Sequence, residues 1–345
     1  MRRGVLNVAI TNKEEIKMEY KSTLTLIETE VAIKFIKDYF ERELAKALNL
    51  TRVSAPLFVR PESGLNDNLN GHERTVRFDV KALGSEVEIV QSLAKWKRMA
   101  LKNYGFAMHD GLYTDMNAIR RDEDLDAIHS IYVDQWDWEK IIEQKDRTIG
   151  YLKRTVKAIY KVLKKTASAV AKKYPAIVHN LPDDIKFVTA KEAELLYPNL
   201  TRKQREDALA KEYGAVFIVG IGWNLKDGVP HDGRAADYDD WKLNGDLLLY
   251  NEVLGHAFEI SSMGIRVDDV SLVKQLKKKG ETAKLENPYC QAIMNKELPL
   301  TIGGGIGQSR LCMYFLNKAH IGEVQASVWV ESDVVALKQK GINIL

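Results

Sequence analysis

Residues 301–310 read Thr-Ile-Gly-Gly-Gly-Ile-Gly-Gln-Ser-Arg, the densest chemical signal in the chain. Three consecutive glycines let backbone approach a ligand closely, because no Cβ stands in the way. The pattern turns helical near Ser309, so Arg310 emerges at a helix N-terminus, where unpaired N–H groups and the macrodipole favour an anion. Two other phosphate-binding loops fail the spacing. A P-loop ends in Lys-Ser or Lys-Thr, and the dinucleotide fingerprint follows the first strand of a βαβ unit, whereas this stretch lies near residue 345. Taken alone, the stretch is also compatible with a tight turn.

A second arginine, Arg120, sits in Met-Asn-Ala-Ile-Arg-Arg-Asp-Glu-Asp (116–124), ahead of an alternating segment over 131–138. A strand there places Ile131, Val133, Gln135 and Asp137 on one face and Tyr132, Asp134, Trp136 and Trp138 on the other.

The elements that must position these residues follow from periodicity. A long helix fits 24–48, with Ile27, Val31, Phe35, Leu44 and Leu48 near one stripe. A strand over 52–59 carries Pro56, which cannot donate to a ladder and belongs at an edge or interface. A polar loop over 61–71 precedes strands over 74–81 and 86–91 and a short helix over 96–103. Residues 140–210 read as largely helical; strands return over 215–222 and in a hairpin over 246–267. Strands and helices in runs predict an α+β fold, an antiparallel sheet flanked by helices. The expected organisation is an N-terminal extension, 1–20, and a single catalytic domain, 21–345.

Composition excludes several classes. Net charge is +3, from 51 basic and 48 acidic residues, which gives no general drive toward nucleic acid. The basic run 153–173 reads as an amphipathic helix, with Leu152, Val156, Ile159 and Leu163 inward and its lysines wet. No run of about 18 apolar residues predicts a membrane span. Cys290 and Cys312 are too few for a disulfide framework or a four-cysteine zinc site, and the seven histidines show no ligand spacing. A cytoplasmic protein is expected.

In order along the chain, three blocks are similar to the motifs of class II aminoacyl-tRNA synthetases: the first helix with the Pro56 strand, the Arg120 strand with its returning partner, and the glycine-rich strand with Arg310. The finer wording includes Gly-Leu-Asn-Asp-Asn-Leu-Asn-Gly (64–71), Ser-Leu-Ala-Lys-Trp-Lys (92–97), Tyr-Val-Asp-Gln-Trp-Asp-Trp-Glu (132–139), Arg-Ala-Ala-Asp-Tyr-Asp-Asp-Trp (234–241) and Ser-Ser-Met-Gly-Ile-Arg-Val (261–267). Together these closely resemble the aspartate–ammonia ligases, the asparagine synthetase A family, from about residue 24 to 329. Asn66 and Gln91 stand where the family pattern has glutamine and histidine, and the segment between Trp241 and Leu243 is short.

The resemblance implies a class II synthetase-like catalytic domain that makes L-asparagine from L-aspartate, ammonia and ATP through a β-aspartyl-adenylate, with Mg²⁺ as cofactor. It assigns Arg120 to the α-phosphate and reacting carboxylate, Arg310 to the terminal phosphates, and Arg234 and Arg266 to the nucleotide. Asp246 and Glu259 fit the metal carboxylates. For aspartate it points to Ser92, Lys97, Gln135, Asp137, Asp239, Ser261, Ser262, Gly304 and Gly305, and it places Asp67 beside the new amide. It also implies a homodimer through the first helix and the Pro56 strand. The rival readings are an aspartyl- or asparaginyl-tRNA synthetase and an inactive synthetase paralogue. A glutamine-dependent synthetase is disfavoured, because it needs a reactive cysteine.

Overall fold

The computed structural model describes residues 20–67, 69 and 73–345. Apart from residue 20, the expected N-terminal extension lies outside them. Strands run β1 (Leu50–Arg52), β2 (Phe58–Val59), β3 (Arg77–Val80), β4 (Ser85–Ile89), β5 (Gly111–Ile119), β6 (Tyr132–Ile141), β7 (Lys186–Thr189), β8 (Ala215–Val219), β9 (Asp239–Asn251), β10 (His256–Arg266) and β11 (Thr301–Gly307). Helices run α1 (Leu26–Leu48), α2 (Ala94–Asn103), α3 (Ile149–Lys173), α4 (Ala190–Leu196), α5 (Arg202–Tyr213), α6 (Asp269–Lys279), α7 (Pro288–Met294), α8 (Gln308–Phe315) and α9 (Glu331–Gln339).

Eight strands form one sheet in the order β1-β5-β6-β11-β10-β9-β8-β7, and β2-β4-β3 form a small second sheet. The six central strands pair antiparallel; only the outer pairs, β1 with β5 and β7 with β8, are parallel. The α+β expectation holds, with two corrections. The 52–59 strand is two strands in different sheets, because Pro56 lies in the break between them. The 140–210 segment also contains β7, whose four residues pair only along one side and are too few to show a period.

Packing assigns the two faces of the large sheet. Trp136, Trp138, Met263, Ile265, Ile302 and Ile306 are buried on the back in one core with α1 and α3. Phe40 of α1 meets Trp136 at 5.0 Å between ring centroids. Thr25 caps α1 reciprocally with Glu28, fixing where it starts, and Asn49 ends it in the left-handed region. Its buried stripe is Ala32, Ile33, Ile36, Phe40, Leu44 and Leu48, whereas Ile27 and Val31 face out. Four-residue steps drift about 40° each round a 3.6-residue helix, so Ile27 sits roughly 100° from Leu44. On α3 the predicted Leu152, Val156, Ile159 and Leu163 are buried, and Lys164 and Lys165 pair with Asp183 and Glu43. This basic run is a solvated, ion-paired face.

Candidate active site

Strand register assembles the front face. Asp137 of β6 lies opposite Gly305 of β11, Gly305 opposite Ser262 of β10, and Ser262 opposite Asp246 of β9. One rung away, Glu139 faces Gly303, and Gly303 faces Gly264. The glycines form a floor that the neighbouring side chains cross. A Cβ on Gly305 would stand 2.1 Å from Gln135 Oε1, and one on Gly303 would stand 1.9 Å from Glu139 Oε2. Gly304 points the other way, toward Met263.

Above this floor lies a cavity of about 490 Å³, in the range of small-molecule sites. Of the residues expected from sequence, all but Asp246 line it. Gln135 and Asp137 share it, as the period of two requires, with Trp136 turned into the core.

One end of the cavity is a buried ion network. Lys97 of α2 donates to the Gly304 carbonyl at 2.9 Å and lies 3.4 Å from Asp137 and 4.0 Å from Glu139. Burial lowers its pKa against the pull of Asp137. Arg266 grips Glu139 at 2.7 Å and Asp239 at 2.5 Å, and is 2% exposed. Its guanidinium is turned to these carboxylates rather than outward, so it fixes Asp239 and Glu139 in place. The Leu93 N–H, at the start of α2, donates to Asp137 at 3.2 Å, and the Ser92 hydroxyl accepts from Ala94 N–H at 3.1 Å. The Ser261 hydroxyl is engaged with the Gly305 carbonyl at 2.9 Å, leaving Ser262 as the serine on the site-facing row.

The other end is arginine-rich. Arg310, in the first turn of α8, makes one hydrogen bond among the described residues, 3.2 Å to the Glu259 carbonyl; it lies 3.6 Å from the Glu259 carboxylate and 5.8 Å from the Phe258 ring centre. Arg120 follows directly on β5, with Glu123 at 3.8 Å, and its Nε is buried without a hydrogen-bond partner among the described residues. Arg234 holds Asp246 at 2.5 Å and Asp232 at 3.0 Å. Burial works against a charged Glu259, yet Arg310, Arg234 and Arg120 outweigh it and hold that carboxyl below its ordinary range. Burial and the charge of Glu259 push Asp246 upward despite Arg234. Two carboxylates repelling one another, with only oxygen donors, fit a hard divalent cation that completes its shell with phosphate and water. Among the described residues no group of three or more His, Cys, Asp or Glu could hold a metal by protein ligands alone.

Asp67 lies at a third wall. Its backbone is fixed by Asn66 and Gln91, the two departures from the family wording. Asn66 Oδ1 accepts from the Asp67 N–H at 2.9 Å and the Gln91 N–H at 2.8 Å, and Gln91 Nε2 donates to the Asp67 carbonyl at 3.1 Å. Asp67 Oδ1 accepts from Leu69 N–H, while Oδ2 is buried with no hydrogen-bond partner among the described residues. Burial pushes this carboxyl up to about 6; Lys95 draws it down and Asp237 raises it further.

The family model described as aspartate–ammonia ligase matches residues 27–341. The chain belongs to the aspartate–ammonia ligase family. A relative in Ruminiclostridium cellulolyticum named aspartate–ammonia ligase is 62% identical over 327 residues, spanning 94% of this chain and 97% of that protein. One of the same name in Bacillus cytotoxicus is 59% identical over 325 residues, 94% of this chain and 99% of the relative. By fold the family member resembles the asparaginyl-tRNA synthetase of Entamoeba histolytica in complex with asparaginyl-adenylate. That match has a TM-score of 0.64 and 14% identity, over 89% of this chain and 68% of the other. The Pyrococcus horikoshii enzyme with the same adenylate also gives 0.64 and 14%, over 88% and 70%. The fold is that of a class II synthetase catalytic domain.

Sequence reasoning missed Lys95, Asp237 and Tyr238 as neighbours of the site. Lys95 reads as one more helix charge and Asp237 as one acid among several; only the fold brings them together, at 3.0 Å.

Proposed function

We propose that this chain is an aspartate–ammonia ligase that joins L-aspartate and ammonia at the expense of ATP. The observation that carries the reading is the shared cavity. Arg120 and Arg310 stand at one end, Gln135, Asp137 and Asp239 at the other, and the glycine floor of β11 runs between them.

A carboxylate resists ammonia until its oxygen becomes a leaving group. The aspartate side-chain carboxylate attacks the α-phosphorus of ATP and pyrophosphate leaves; ammonia then attacks the acyl carbon and AMP leaves. Charge developing on the phosphates is met by Arg120 and Arg310, donors held by the fold before the reaction starts. Among the described residues Arg310 makes one hydrogen bond beside a 3.6 Å ion pair with Glu259, and Arg120 keeps an unmet Nε, so both have N–H donors left for a ligand. Arg234 supports the pyrophosphate end. Asp246 and Glu259 would hold Mg²⁺, which supplies further stabilisation of phosphate charge when bound.

Lys97 faces the α-carboxylate of aspartate, while Gln135, Asp137 and Asp239 accept from its α-ammonium. Arg266 positions Asp239 and Glu139. Ser92, Ser262 and the Gly304–Gly305 backbone complete the aspartate wall, with Ser261 clamping Gly305. Asp67 takes the proton of the incoming ammonium, and its raised pKa suits a base working near neutrality. The outward-facing Ile27 and Val31 of α1 support a homodimer.

The test is product identity. Protein, Mg²⁺-ATP and aspartate with ammonium should give AMP, pyrophosphate and asparagine; ADP and phosphate would overturn the adenylate route. Glutamine should not replace ammonium, because burial pushes both cysteine thiols up to about 12, far from a reactive thiolate.

A further inference from the structure

Asp67 also borders a second, smaller cavity of about 180 Å³. Asp67 and Leu69 line both cavities, so they form the partition between them. The small cavity is lined by Lys95, Asp237, Glu88 and Lys284 among others, and neither Arg120 nor Arg310 borders it.

Two acceptors in its wall have no close donor among the described residues: Asp67 Oδ2 and Asp237 Oδ1, on residues 2% and 1% exposed, are buried without a hydrogen-bond partner, the Tyr238 side chain being near enough only to lower the Asp67 pKa. Asp237 Oδ2 takes the Lys95 ammonium at 3.0 Å, and that is the one hydrogen bond Lys95 Nζ makes among the described residues. Of the other charges of the wall, Arg77 pairs with Glu88 at 3.0 Å and Lys284 with Glu281 at 2.8 Å, Lys284 also helps to lower the Asp237 pKa, and Lys279 stands at the wall with no ion pair among the described residues. Beside Glu88, which Arg77 pairs, the wall's buried charged side chains are Asp67, Asp237 and Lys95, a trio that carries two negative charges and one positive once Asp67 is ionised. An uncompensated buried charge is expensive and calls for one more monovalent cation or a proton.

Resting on the ligase reading above, we infer that the small cavity is the ammonium subsite, held by Asp67 and by Asp237, which ammonium reaches without crossing the space filled by ATP and aspartate. An ammonium ion brings one positive charge and four N–H donors, matching the missing charge and the two orphaned oxygens. Lys95 keeps Asp237 ionised: burial opposes the charge, but the lysine outweighs it and the pKa is lowered. Asp67, with no cation bonded to it, is the base. One ammonium proton passes to Asp67, the freed lone pair forms the C–N bond, and the acyl C–O bond breaks with its electrons leaving on AMP. The second proton departs through the same cavity to water. Asp237 stays charged and holds the ion; it is a binding residue for the second substrate.

Two measurements test this. In Asp237→Asn the KM for ammonium should rise tenfold or more. The KM for aspartate and ATP, and aspartate-dependent pyrophosphate exchange into ATP, should stay within about threefold. Hydroxylamine, neutral at pH 7.5, should keep its KM, and Asp237→Glu should restore much of the ammonium affinity. An unchanged ammonium KM, or equal losses for ammonium and hydroxylamine, would overturn the subsite. The wild-type protein crystallised with thallium(I), a cation of similar size to ammonium, should show an anomalous peak between Asp67 and Asp237; an empty cavity at saturating thallium would also overturn it. Absence of pyrophosphate exchange in the wild type would instead overturn the ligase reading, and the subsite with it.

Discussion

Replacing Asp67 by asparagine should make the ligand-free protein more stable and the enzyme far worse at forming the amide. The carboxyl is pushed from an ordinary 3.8 to about 6, chiefly by burial. Two units at 1.36 kcal/mol each put the penalty for ionised Asp67 at about 3 kcal/mol. The folded-state value lies above the unfolded one, so protonated Asp67 costs nothing below about pH 4. Stability is then lost as pH rises through about 6. Asparagine keeps the Oδ1 acceptor for Leu69 N–H but brings an amide that needs a partner, which offsets part of the gain. The expected net effect is about 1–3 kcal/mol of added stability at pH 8 and close to none at pH 4, read by urea unfolding without ligands. Aspartate-dependent pyrophosphate exchange should persist, since adenylation needs no base at this wall, while asparagine formation falls roughly 10²-fold, the usual scale for a lost acid–base group. A variant no more stable than wild type at pH 8 would refute the burial argument. Exchange falling in step with amide synthesis would refute the assignment of Asp67 to ammonia.

Arg310→Ala and Arg120→Ala should each lower pyrophosphate exchange by at least 10²-fold, as loss of a transition-state donor does, with the fold intact; activity within a few-fold of wild type would return the glycine-rich segment to a structural role. Gly305→Ala should raise the KM for aspartate tenfold or more in a folded protein, because its Cβ displaces Gln135. Gly303→Ala should lower stability by at least about 3 kcal/mol, because its Cβ enters the buried Glu139–Arg266 pair; steady-state kinetics and unfolding curves separate the two. Paired Ile27→Lys and Val31→Lys changes remove two outward apolar side chains from α1 and should shift the protein toward monomer in light scattering, with monomer stability unchanged.

Much of this protein is written locally. The period of two in 131–138 put Gln135 and Asp137 on one face and the tryptophans on the other, and β6 keeps that division over 135–138, where the tryptophans enter the core, whereas Tyr132 and Asp134 near its start, expected on the tryptophan face, also border the cavity. The glycine run before Arg310 and the amphipathic α3 were legible for the same reason: backbone geometry converts spacing directly into direction. What spacing cannot encode is which strand lies beside which. The rung from Asp137 through Gly305 and Ser262 to Asp246 joins residues up to 168 positions apart in numbering through strand pairing alone. That Arg266 grips Glu139 and Asp239 at the cavity wall is likewise set by the packing of the sheet and not by its spacing in the sequence. Pro56 marks a break, but only the separate pairing of β1 and β2 shows that two sheets meet there. Asp67 carries the clearest division. The sequence makes it a polar loop residue, whereas burial beside Lys95 and Asp237, set by segments 28 and 170 residues away, raises its pKa and leaves one oxygen waiting for a donor.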